Sequence, residues 1–139
     1  MAIFRTREKP RTVTDLGQLQ AMLEGDRPVL VDFFQVGCGP CKVMDGIVNE
    51  LAEEYAGSAE VVKVDVTRVA GAAQAFGVRS TPTFVLLGRG ATTKRRRRRT
   101  AADSSATPTR LTPRWRASGL VRKDQLRRVL ESNGASPAQ

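Results

Sequence analysis

The sequence predicts an α/β fold, a sheet with helices, with a disordered basic loop before the last strand. Three observations carry this. Short β-branched or aromatic runs alternate with segments of helical periodicity from about residue 14 to residue 87. Both cysteines of the chain lie in one motif, Gly37-Cys38-Gly39-Pro40-Cys41-Lys42, at a strand-to-helix junction. Last, the whole net charge of +9 is confined to one stretch: residues 88–116 hold ten Lys and Arg against the single acid Asp103. The rest of the chain is neutral, so the basic total does not mark the domain itself as a nucleic-acid binder.

The 139 residues suffice for a single domain, expected over residues 1–139. Residues 1–11 read as a flexible arm with room for a short strand at Ala2–Phe4. Thr14 is the expected N-cap of a helix whose Leu16, Leu19 and Leu23 recur at i, i+3, i+7, and Gly25-Asp26 turns the chain. Pro28 to Phe34 is nearly all apolar, as a strand covered on both faces would be. Asp32 interrupts it. Strand alternation alone would let Asp32 face solvent; its large apolar neighbours argue for burial, which is costly for a carboxyl unless it is paired or protonated.

After the cysteine motif, Val43/Met44, Ile47/Val48, Leu51 and Tyr55 form the stripe of an amphipathic helix that Gly57 closes. Glu60–Val66 is a second strand, Val69–Phe76 a short Ala-rich helix stopped at Gly77, and Thr83–Leu87 a third strand. Residues 91–113 form a low-complexity, Arg-rich insertion with almost nothing able to build a core, expected to be disordered. Trp115–Ala117 is the candidate last strand, and Val121–Leu130 a final amphipathic helix. Residues 133–139 read as a polar tail.

Function is read first from the motif. Two thiols separated by two residues can close a small reversible disulfide. A cysteine in the first turn of a helix sits where unpaired N–H groups and the helix dipole favour the thiolate. So short a loop constrains little of the unfolded chain, which makes it a poor structural staple. The chain has no histidine, which excludes His-based catalysis, and a zinc site built on Cys38 and Cys41 would need a second copy to complete four ligands. No cofactor or metal is expected. A third reading gives the Lys94–Arg99 run to acidic partners or nucleic acid. Its binding would be strong, unspecific and salt-sensitive, with only Trp115 nearby for stacking. The N-terminal residues lack the apolar stretch of a signal peptide and no segment is apolar enough to span a membrane, so a cytoplasmic location and no membrane partner are expected.

Val31-Asp32-Phe33-Phe34, Cys38-Gly39-Pro40-Cys41-Lys42, Lys63-Val64-Asp65 and Ser80-Thr81-Pro82-Thr83 together resemble the thioredoxin family in order and spacing, over roughly residues 12–90 and 117–132. The resemblance implies the thioredoxin fold, a central mixed β-sheet flanked by helices, and a protein-disulfide reductase. In it Cys38 is the nucleophile, Cys41 the more buried resolving thiol, and the two form the redox-active disulfide. It further implies that Asp32, held near Lys63, accepts the proton of Cys41. The bland alternative for Lys63 is an exposed strand residue. Gly37, Gly39, Pro40, Thr81, Pro82 and Gly119 would meet the substrate, with a cis bond at Thr81–Pro82. Disulfide-containing proteins are the implied targets, a thioredoxin reductase the electron donor, and a monomer the working form.

Four departures from the family stand out. Gly37 and Phe34 replace tryptophans, and Gly46 replaces a proline, leaving an expected soft point or kink in the helix. The insertion replaces a tight hairpin before a last strand that is expected to be short or frayed, because the only stretch that could supply it, Leu111 to Ala117, has Pro113 inside. These changes leave open a chain with the fold but impaired redox activity, acting as a binding module.

Overall fold

A computed structural model of the chain describes residues 9–88 and 113–138. The expectations for Ala2–Phe4 and for the basic run Lys94–Arg99 lie outside the described residues. The strands are β1 (Arg11–Val13), β2 (Val29–Phe34), β3 (Glu60–Asp65), β4 (Thr83–Leu87) and β5 (Pro113–Ser118). They form one sheet in the order β1-β3-β2-β4-β5. β3 runs parallel to β1 and β2; β4 runs antiparallel to β2 and β5, so the sheet is mixed. The helices are α1 (Leu16–Met22), α2 (Gly39–Glu54), α3 (Ala72–Phe76) and α4 (Lys123–Ser132).

The central strand β2 explains the layering. Val29 to Phe33 are all buried, so both faces are covered. Val29, Val31 and Phe33 join Leu19 and Leu23 beside α1 and Ala72 and Phe76 of α3 in one core. The Phe33 and Phe76 rings meet at 5.1 Å, tilted. On the opposite face Leu30 packs with Met44, Val48 and Leu51 of α2 and Leu126 and Leu130 of α4. Because side chains alternate along a strand, Asp32 shares the face of Leu30 and therefore points toward the α2 layer.

Several local expectations are corrected. Asp15, one residue after Thr14, caps α1: its backbone is extended and its carboxylate accepts from the Gln18 N–H at 3.1 Å, while the Gln18 side chain reaches back to Thr14. Residues 11–13, of which only Val13 is buried, form a strand where the sequence offered no alternation. α3 starts at Ala72 because Gly71, at φ 76, breaks the helical path before it. The final helix starts at Lys123 and continues to Ser132.

Helix α2 shows no interruption at Gly46. β5 is six residues long and pairs with all five residues of β4, the register skipping Arg114, so it is neither short nor frayed. Pro113 occupies its first position, opposite Leu87, beside a register irregularity at Leu86/Leu87; there a missing N–H is tolerated. Pro113, Trp115 and Ala117 are half-buried and alternate with exposed Arg114, Arg116 and Ser118. Arginines therefore line the solvent side of an edge strand, a position where charge also discourages edge-to-edge pairing. The last residues pack against the fold. Ser136 exchanges hydrogen bonds with Ser58, and Ala135 is buried beside the end of α2.

Candidate functional site

The site lies where β2 ends and α2 begins. Cys38 is the N-cap of α2, with extended backbone at φ −86 and ψ 111, and Pro40 occupies the first turn, where its missing N–H costs no hydrogen bond. The Cys41 N–H donates to Cys38 Sγ at 3.2 Å, and the Lys42 N–H to the Cys38 carbonyl at 3.3 Å. One orphan donor of the helix end is thus aimed at the Cys38 sulfur, an arrangement that favours the thiolate when the pair is reduced. The two sulfurs are joined as a disulfide. Cys38 is half-buried, whereas Cys41 faces the core at 4% exposure. Any incoming disulfide therefore reaches Cys38 first.

A second loop closes over the pair. Cys38 Sγ lies 3.4 Å from the Thr81 carbonyl oxygen, and the Thr81–Pro82 bond is cis. The Pro82 carbonyl accepts the Gly119 N–H at 2.8 Å, and Thr83 donates to the Ser80 carbonyl at 2.7 Å. Thr81, Pro82 and Gly119 are thus linked to one another and to Cys38. Gly119 and Gly37 both have positive φ, 84 and 86, the region that glycine enters without the Cβ clash. At Gly37 the exchange of an aromatic for glycine is therefore coupled to the backbone path into the motif. Gly39 is exposed in the first turn of α2. Val36, Val43 and Leu120 are the exposed large apolar residues of the described chain; they neighbour the motif or Gly119 in sequence.

Beneath the motif lies Asp32, 1% exposed, with neither carboxylate oxygen hydrogen-bonded. Burial pushes its pKa up to about 7; Lys63 opposes this and Asp45 adds to it. Lys63 stands directly across the parallel β2–β3 pair from Asp32. Its ammonium, however, pairs with Asp45 Oδ1 at 2.8 Å and lies 4.6 Å from the Phe34 ring centre. The structure thus brings Asp32, Lys63 and Asp45 together on the α2 side of the sheet, and Cys38, Cys41, Thr81 and Pro82 together at the start of α2. Asp45 was not singled out in the sequence. Its one signal was the i, i+4 spacing from Cys41 on the face of α2 that packs on the sheet. Among the described residues no group of three His, Cys, Asp or Glu is placed to hold a metal ion, and no helix is long and apolar enough to cross a membrane.

Comparison with known proteins agrees with this geometry. The family model described as Thioredoxin matches residues 12–106. Thioredoxin 1 of Nostoc sp. is 42% identical over 74 residues, covering 53% of this chain and 69% of its own. The thioredoxin of Alicyclobacillus acidocaldarius is 39% identical over 84 residues, covering 60% and 79%. Among solved structures, a mutant thioredoxin from Halobacterium salinarum superposes with a TM-score of 0.68 at 28% identity, over 94% of this chain and 96% of that one.

Proposed function

The chain belongs to the thioredoxin family, and from that premise we propose how its residues divide the work of reducing disulfides. The protein is a thiol–disulfide oxidoreductase that reduces disulfides in target proteins through Cys38 and Cys41 and is itself re-reduced by a reductase. The observation that carries the division of labour is the asymmetry of the pair: Cys38 is reachable and receives an amide N–H, and Cys41 is buried.

In the reduced protein the Cys38 thiolate attacks one sulfur of the target disulfide. The target S–S bond breaks, a Cys38–target disulfide forms, and the other target cysteine leaves as a thiolate and takes a proton from solvent. Cys41 then transfers its proton to the Asp32 carboxylate and attacks Cys38 Sγ. The mixed disulfide breaks, the Cys38–Cys41 bond forms, and the second target cysteine leaves as a thiolate that is protonated in turn. Two electrons have passed from the dithiol to the target. Asp32 suits its role because an acceptor whose pKa is near ambient pH takes and returns a proton readily. Lys63 is the neighbouring cation that tunes it.

Gly37, Gly39, Pro40, Thr81, Pro82 and Gly119 form the rim on which an extended target segment lies. With Gly37 in place of an aromatic, this rim lacks a flat apolar surface beside the nucleophile, and its selectivity differs from relatives that carry one. We further assign a thioredoxin reductase as electron donor, a monomeric working form and a cytoplasmic location. Support comes from a dithiol site complete within one chain and from cysteines used for exchange rather than stapling.

Insulin reduction driven by dithiothreitol tests the reading. The full chain should accelerate it, and Cys38→Ser should abolish the acceleration; an active Cys38→Ser variant would refute the assignment.

A further inference from the structure

We propose that Asp45 is a positioning residue for the proton transfer at Cys41: by pairing with Lys63 it holds the ammonium away from the Asp32 carboxyl. This deepens, and rests on, the reading of Asp32 as proton acceptor. The register of β2 and β3 sets Lys63 opposite Asp32, where an ammonium would ordinarily seek the buried carboxyl beside it. Its Nζ instead sits 2.8 Å from Asp45 Oδ1, with the Phe34 ring behind it at 4.6 Å. Both Asp32 oxygens lack a hydrogen-bond partner, and among the described residues no ion pair joins them to Lys63.

The groups that face Asp32 come from three elements. β3 supplies Lys63; α2 supplies Asp45; β4 supplies Phe84, its antiparallel neighbour, which carries no charge. Direct contact with Lys63 would stabilise the ionised carboxylate and make Asp32 a weak base at neutral pH. With the ammonium committed to Asp45, whose own negative charge acts in the same direction, Asp32 keeps a proton affinity matched to the thiol chemistry beside it. The hydrogen bond of Asp45 goes to Lys63 and not to either sulfur, so it acts through Lys63.

The experiment follows the Asp32 side-chain carboxyl by 13C NMR across a pH titration of the full chain, in the oxidised form so that no thiol titrates. In Asp45→Asn the side chain keeps its size and loses its charge. Lys63 is then free to pair with Asp32, and the titration midpoint should fall by about one to three pH units. An unchanged or higher midpoint overturns the inference. In a Lys63→Met background the effect of Asp45→Asn should shrink to the direct repulsion alone. An effect of undiminished size shows that Asp45 does not act through Lys63, and also overturns it. The underlying reading fails separately: if Asp32→Asn leaves the pH profile of insulin reduction unchanged, Asp32 is not the acceptor, whatever the midpoints do. With the inference correct, the acidic limb of that profile in Asp45→Asn moves to lower pH together with the NMR midpoint.

Discussion

Asp32 carries the largest pH-dependent effect that can be assigned to one side chain. Its ordinary value is 3.8 and its folded value is about 7, with burial as the main cause. Below the lower value the carboxyl is neutral in both states and its ionisation costs nothing. Between the two values the unfolded chain releases the proton that the folded chain keeps, so stability falls as pH rises. Above pH 7 the full penalty applies, on the order of 4 kcal/mol at about 1.4 kcal/mol per pH unit. Asp32→Asn should therefore gain stability over the parent as pH rises, little at about pH 4 and a few kcal/mol at about pH 8. Urea denaturation at the two pH values measures it, and a pH-independent difference would contradict the burial argument. The Cys38–Cys41 disulfide and the burial of Asp32 were readable in the sequence, the first from the spacing of two thiols at a helix start, the second from large apolar neighbours, whereas their roles came from the resemblance. The sequence hid Asp45, whose role depends on which of two carboxyls a lysine on another strand reaches. It also hid the positive φ of Gly37, which has no side-chain signature.

At the scale of elements, the strongly patterned pieces were readable and their edges were not. β2 and α2 announce themselves by long apolar patterns. β1, with one buried residue, and β5, with arginines on its outer face, do not. Arg116 shows how a residue in a basic stretch can serve the fold. Its guanidinium donates to the Phe76 carbonyl at 2.7 Å and the Gly77 carbonyl at 3.0 Å, closing the end of α3 from the edge strand. Arg116→Ala should cost about 1–2 kcal/mol, read as a lower urea midpoint at unchanged m-value. Gly46 is the opposite case. It lies exposed in the middle of α2, its φ is not positive, and a Cβ added there would meet nothing within 4 Å. Gly46→Ala should stabilise the chain by about 0.5–1 kcal/mol in the same assay.

For the whole molecule, the pairing of β4 with β5 places Leu87 opposite Pro113, so both ends of the Arg-rich insertion are anchored at adjacent positions of one antiparallel pair. A short hairpin loop spans such a gap. Deleting Thr92–Thr112 should leave the melting temperature equal or higher, because shortening the connection between β4 and β5 roughly sixfold recovers about 1.5 kcal/mol of closure entropy. A large loss of stability would show that the segment is structural. The compositional break marks the insertion in the sequence, while the strand beyond it was obscured by its proline and its charge. The central claim concerns the whole fold acting through one sulfur: the reachable Cys38 attacks and the buried Cys41 resolves. The direct measurement is mass spectrometry of the covalent complex formed when Cys41→Ser, unable to resolve, is mixed with oxidised insulin. The account predicts a stable adduct joined through Cys38 and none with Cys38→Ser. An adduct that forms on Cys41 in the Cys38→Ser variant, with none on Cys38, would contradict it.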